Sequence, residues 1–250
     1  MQETEKNTEA LPRSYCYDLQ VDFHDTDSDG ILRPSAAFRY MQSAADLQMH
    51  TCGPSNEELR KKGQAFVVTR FAVNFAAPIF AYEDIHVESR ALESRGVTFG
   101  RYYCLMRRGV TVAEAQSVCA LLDIGSGRPL PVSSFHPGFA NGDMPEHPLT
   151  LRFALPAIEE FSEVGTYCVT YGDTDFNKHM NNTRYPDMLA NFLPMDGMRF
   201  ASVILNFQKE APRDTVLRIL HAEKAGIHYF RTLRPDGSVN VEASVKLTEI

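Results

Sequence analysis

The chain has 250 residues, 44% of them hydrophobic and 23% charged. That is enough for one large domain or two of ordinary size, with a core that needs no covalent staples. A formal net charge of −7 argues against a general affinity for nucleic acid or for an anionic membrane.

The N-terminal stretch MQETEKNTEALPRS is polar and acidic. It has neither the apolar core of a secretory signal nor the Arg-rich, acid-poor character of a transit peptide. Residues 1–14 therefore read as a tail. No run approaches the roughly 18 apolar residues of a membrane span, so a cytoplasmic protein is expected. Cys16, Cys52, Cys104, Cys119 and Cys168 are odd in number and lack C-x-x-C spacing. They support neither a disulfide framework nor a zinc site, and most are expected as small buried residues.

Tyr15, Tyr17, Leu19, Val21 and Phe23 share one phase of an alternating segment, which predicts a half-buried strand. It runs into Asp25-Thr26-Asp27. Pro34 and Ser35 then supply start signals for a helix over 36–49, and Gly53-Pro54 stops it. Strand patterns follow over 66–75, 85–92 and 98–106. From Pro129 to Pro156 the composition changes: six of the 14 prolines fall here. This predicts a linker across the surface.

Beyond the linker the pattern starts again. Tyr167, Val169 and Tyr171 alternate into Asp173-Thr174-Asp175, in the phase of Leu19, Val21 and Phe23. Asn181, Asn182 and Thr183 offer caps for a helix over 184–192, which ends before Pro194. Strands are predicted over 202–207 and 216–222, and Pro235-Asp236-Gly237 turns the chain into a final alternating strand. Val73-Asn74-Phe75 returns as Leu205-Asn206-Phe207, and Gly109, Glu114 and Ala115 return as Gly237, Glu242 and Ala243. Three echoes in one order argue for an internal duplication. Each copy reads as an α+β unit, a long helix on an antiparallel sheet. The units span 15–134 and 161–250 with a linker at 135–160, and their sheets could join side by side.

Chemistry concentrates in Asp173-Thr174-Asp175-Phe176-Asn177-Lys178-His179-Met180-Asn181-Asn182, just before the second helix. Free N–H groups at a helix start favour negative charge and can hold an oxyanion. A polar loop with helix caps explains the same residues. The first copy keeps Asp25 and Asp27 but has no counterpart to the Asn and His residues, as expected of one catalytic and one pocket-forming half. Glu210, near the end of a strand, is a candidate base; a solvated charge paired with Lys209 or Arg213 is the plainer alternative. Nothing supports a metal site or a cofactor, and no nucleophile elbow, P-loop or dinucleotide fingerprint is present.

Asp175, Asn177, His179, Asn181, Asn182 and Tyr185 form the pattern D-x-N-x-H-x-N-N-x-x-Y, and Leu205, Phe207, Glu210, Arg213 and Asp214 form a second stretch. In these the chain resembles the plant and bacterial acyl-acyl carrier protein thioesterases, from about Tyr15 to Ile250. The resemblance implies a tandem hotdog fold. It also implies hydrolysis of fatty acyl-acyl carrier protein, ending fatty acid synthesis, with Asp175, Asn177, His179 and Glu210 catalytic. Asn181, Asn182 and Tyr185 would bind substrate. Ala211 stands where plant members commonly carry cysteine, so a cysteine nucleophile there is excluded; Met180 replaces the usual valine. The absence of a plastid segment suits a bacterial cytosolic member.

The first copy is expected to supply an acyl pocket through Phe38, Met41, Leu47, Phe71, Val73 and Phe75, although core packing explains them equally well. The expected partner is an acyl carrier protein bearing a phosphopantetheine-linked acyl chain, docked on Arg60, Lys61, Lys62, Arg107, Arg108 or Arg213. The chain would act as monomer or homodimer. An acyl-CoA thioesterase, another hotdog enzyme and a non-catalytic acyl-thioester-binding protein are the competing readings.

Overall fold

The computed structural model describes residues 10–250, so most of the expected N-terminal tail lies outside the described residues. The first half holds β1 (Tyr15–Gln20), α1 (Pro34–Cys52), α2 (Asn56–Lys61), β2 (Gln64–Phe75), β3 (Asp84–Ala91), β4 (Thr98–Arg107) and β5 (Val110–Asp123). The second holds β6 (Ser162–Cys168), α3 (Tyr185–Ala190), β7 (Met198–Phe207), β8 (Val216–Lys224), β9 (Ile227–Leu233) and β10 (Val239–Glu249). All ten strands form one sheet in the order β1-β3-β4-β5-β2-β7-β10-β9-β8-β6. The second half thus mirrors the first across a seam where β2 pairs antiparallel with β7, from Arg70 opposite Asn206 to Asn74 opposite Ser202.

The alternation read in β1 is real: Tyr15, Tyr17 and Leu19 are half-buried while Cys16, Asp18 and Gln20 are exposed. Phe23 falls outside the strand, in a one-turn 3-10 helix, and is half exposed. Helix α1 forms because Pro34 presets its first turn and alanines fill the face against the sheet. Gly53, at φ 63°, ends it. Ala36, Ala37, Phe38, Met41 and Ala44 are wholly buried on that face. The Phe38 ring stacks on Phe71 at 4.5 Å, and Phe71 on Tyr103 at 5.5 Å. Such ring pairs add about 0.5–1.5 kcal/mol each beyond the area they bury.

Two expectations need correction. The second copy does not carry a long helix: α3 has six residues, preceded by the 3-10 turn Asn182–Arg184. Asn191, Pro194 and Gly197 leave no room for more turns. Nor are most cysteines buried. All five are free, Cys104 alone is fully buried, and Cys16 and Cys168 are exposed.

The linker also departs from a surface crossing. Phe135 packs edge-on against Phe66 at 5.0 Å and Phe99 at 5.6 Å, and Phe139 is 6% exposed beside Met49 and Leu121. The backbone locks there as well: Gly138 N–H donates to Gly53 at 2.9 Å. A β-carbon at Gly138 would stand 1.9 Å from the Cys52 carbonyl oxygen, so only glycine permits this crossing. Residues 135–142 are therefore built into the first half.

Candidate active site

The turn Asp173–Asn182 is shaped by its own short side chains. Asp173 accepts from Thr170 Oγ1 at 2.7 Å, Thr170 N–H at 2.8 Å and Tyr167 hydroxyl at 2.9 Å. Burial opposes the ionisation of Asp173. The Thr170 and Tyr167 bonds and nearby Arg184 outweigh it, and the carboxyl titrates below its ordinary value. Asp173 is thus a structural anion. Asp175 accepts from the Asn177 N–H and from Asn181 Nδ2, both at 2.8 Å. Asn181 in turn accepts from the Thr183 N–H and hydroxyl at 2.9 and 2.8 Å. Asn181 therefore ties Asp175 to the start of the second helical segment. Lys178, at φ 66°, takes a left-handed conformation that costs a non-glycine residue free energy.

Glu210 is brought to this turn by backbone pairing. Met180 N–H donates to Ala211 at 2.8 Å, and His179 bridges to Pro212. The result puts His179 Nε2 3.7 Å from Glu210 Oε2. Glu210 pairs with neither Lys209 nor Arg213; its side chain is 66% exposed, so water reaches it. Behind it, fully buried Asn240 clamps the loop: its carbonyl accepts from the Gln208 and Lys209 N–H groups, and its Nδ2 donates to the Lys209 carbonyl and, at 3.0 Å, to Tyr185. Burial pushes the Tyr185 hydroxyl up to about 12, so it stays neutral as a packing and hydrogen-bonding group.

These residues open on a cavity of about 1430 Å³ to which both halves contribute. Asp175, Asn177, His179, Asn181, Asn182, Tyr185 and Glu210 line one part. Met49, Phe66, Val68, Phe99, Tyr103, Phe135 and Phe139 form an apolar stretch of the wall, while Arg39, Asp46, Glu93 and Arg101 are among its charged lining residues. Phe38, Met41, Phe71 and Val73, expected as the acyl pocket, are instead in the central core with at most 1% exposure, and none lines the cavity. They sit on the helix–sheet interface, where packing leaves no space. Leu47 and Phe75 do not line it either.

The basic residues divide. Arg60 donates to Asn177 Oδ1 and lies over the Phe176 ring at 4.4 Å, so the first half reaches into the catalytic turn. Because arginine cannot accept, this contact fixes the Asn177 amide with its Nδ2 outward. Arg107 is not free for docking: it donates to both carboxylate oxygens of Glu83 at 2.8 Å. Lys61 pairs with Glu57 on its own helix, while Lys62, Arg108 and Arg213 are exposed. Asn240 and the linker aromatics were not expected at the site, and Arg60 was expected only as a docking residue. Asn240 gave no local signal, since it falls in the same alternating polar phase of β10 as Glu242, Ser244 and Lys246.

Residues 157–248 match the family model for the acyl-ACP thioesterase C-terminal domain. Over that stretch the chain is similar to the acyl-ACP thioesterase family. The matched domain contains every residue of the turn as well as Glu210 and Asn240. An acyl-ACP thioesterase of Bacteroides thetaiotaomicron has a similar structure, with a TM-score of 0.84 and 16% identity over 94% of this chain and 98% of that one. The 12:0-ACP thioesterase of Umbellularia californica gives 0.80 at 16%, over 95% and 98%. At such identities these structures establish the tandem hotdog fold. An Aquifex aeolicus protein named as an esterase is 27% identical over 104 residues, covering 41% of this chain and 80% of that protein. Among the described residues, no helix is long and apolar enough to cross a membrane.

Proposed function

We propose that the chain hydrolyses the thioester of fatty acyl-acyl carrier protein, releasing free fatty acid and holo-carrier protein and so terminating fatty acid synthesis. The observation that carries this reading is the 3.7 Å approach of Glu210 to His179 at a cavity whose wall includes an aromatic and aliphatic stretch. A carboxylate and an imidazole at a water-accessible opening suit hydrolysis, and the apolar wall suits an acyl chain.

His179 Nδ1 lies 3.2 Å from the Met180 carbonyl. A carbonyl only accepts, so Nδ1 carries the proton and the neutral ring leaves Nε2 as an acceptor. Nε2 and Glu210 then grip one water between them. Glu210 takes its proton as the water oxygen bonds to the thioester carbon. The electron pair moves to the carbonyl oxygen, where Asn177 Nδ2 and the Asn182 N–H, which has no partner among the described residues, donate to it. When the tetrahedral centre collapses the C–S bond breaks, and the departing thiolate takes the proton held by Glu210. A thiol has a pKa near 8.5, so departure needs no stronger acid. Asp175 holds the turn rather than the proton, because Asn177 and Asn181 occupy its oxygens.

Exposed Lys178, Lys209 and Arg213, the last paired with Asp214 at 3.5 Å, flank His179 and Glu210 along the chain, basic positions on an acidic protein. They favour an acidic carrier. The test compares kcat/KM for one acyl chain on carrier protein and on CoA, over a range of salt. A higher value on the carrier, falling as salt rises, is expected. Equal or faster turnover of the CoA ester overturns the carrier assignment, and hydrolysis of neither overturns the activity.

A further inference from the structure

Arg101, on β4, lines the same cavity away from the catalytic turn. Strands β5 and β2 lie between β4 and β7, which at about 4.8 Å per strand puts Arg101 some 14 Å across the sheet. Its Nη1 donates to Gln48 Oε1 at 2.6 Å and to Ser89 Oγ at 2.9 Å. Its guanidinium stands 5.5 Å from the Phe139 ring. Among the described residues no carboxylate pairs with it. The part-buried Arg90, Arg107 and Arg231 each have a glutamate: Glu88, Glu83 and Glu242.

Five N–H groups belong to a guanidinium, and Gln48 and Ser89 take only those of Nη1. The Nε and Nη2 edge has no protein partner among the described residues. That edge is the fork a carboxylate binds side-on with two parallel bonds. Gln48 is wholly buried, its Oε1 is committed to Arg101, and its Nε2 also lacks a partner. An unsubstituted acyl chain laid along this wall would leave the Arg101 Nε and Nη2 groups facing methylenes, at a cost of about 1–3 kcal/mol for each group so stranded.

We propose that Arg101 forms a distal anion subsite, and that the chain prefers acyl groups carrying a carboxylate at the end remote from the thioester. The proposal rests on reading the cavity as an acyl site, but its test does not depend on turnover. Binding of α,ω-dicarboxylic acids and of the matching monocarboxylic acids, from eight carbons upward, is measured by calorimetry on the full chain. At the length that spans the cavity the diacid binds about 10- to 100-fold tighter, the range of a hydrogen bond to a charged group. Arg101→Met abolishes that advantage and leaves monoacid binding within about threefold. Gln48→Glu gives a second route that keeps the arginine: an internal carboxylate occupies the guanidinium, and the diacid advantage is lost again. A diacid no tighter than its monoacid at every length overturns the proposal, as does an advantage that survives in both variants. A chain that binds diacids in this way yet hydrolyses no thioester would sink the hydrolytic reading and leave the subsite standing.

Discussion

In the first half the chain leaves β1 through the 3-10 turn Phe23–Asp25, and Thr26 bridges back to Leu32; in the second, Tyr171–Asp173 leads to Thr174 bridging Met180. Leu32 N–H donates to Ile79 as Met180 N–H donates to Ala211, and Gly30 at φ 74° stands where Lys178 stands at 66°. Asp27 Oδ1 accepts from the Asp29 N–H at 3.0 Å as Asp175 Oδ1 accepts from that of Asn177. The backbones match bond for bond. The side chains do not: Asp29, Ile31 and Arg33 occupy the places of Asn177, His179 and Asn181, and Pro78 the place of Glu210. The shared aspartates therefore build a turn, and the chemistry was added to, or lost from, one copy of it.

Four substitutions test that division. Glu210→Gln should lower kcat by about 10³-fold, as for loss of a general base, with the unfolding midpoint unchanged, whereas Pro78→Ala in the silent turn should leave kcat intact. Near-native kcat in the Gln variant would show the two turns to be equally idle. Next, Asp175→Ala and Asp27→Ala each remove the matching bond, from the Asn177 or the Asp29 N–H, and the latter also loses that from the Ile31 N–H. The first also frees Asn181, and should cost up to about 100-fold in kcat through misplacement of Asn177. The second should cost about 1 kcal/mol of stability, as for a lost cap, and leave kcat within twofold; urea unfolding beside steady-state kinetics separates them. Equal kinetic losses in both would place the first turn in the mechanism.

The smallest effect concerns the buried anion beneath the active turn. The Asp173 carboxyl is held below its ordinary value, so the stability its charge contributes is fully present above the unfolded Asp pKa. It is lost as pH falls through the lowered folded one. Asp173→Asn should thus be about 1–3 kcal/mol less stable near pH 7, with the gap closing in acid. Thermal unfolding across pH reads this directly, and a gap that persists at low pH would deny the charge any part in it.

What the sequence made legible was local. Alternation in β1, the Gly53-Pro54 stop and the paired Asp-Thr-Asp turns carry their meaning within a few residues. Strand β5 was not anticipated. Its segment VTVAEAQSVCALLD is rich in alanine, and its extended state is imposed by β2 on one side and β4 on the other. Phe38 and Phe66 are both phenylalanines on apolar faces, and only the fold decides that one is core and the other cavity wall. Arg60 was legible only as part of a basic run and Arg101 gave no signal, because what distinguishes them is the partner each found or lacked across the chain.

At the seam, Ala72 lies opposite Ile204, its own counterpart in the duplicated pattern, with Phe71 opposite Leu205 and Val73 opposite Val203. That register is self-complementary: a dyad axis passes through it, as between two identical subunits in an isologous dimer. A polypeptide of one repeat could meet its twin along the same edge and generate two equal clefts. Fusing the twins into one chain freed each to diverge, so that one cleft could keep its reactive groups while the other became plain scaffolding.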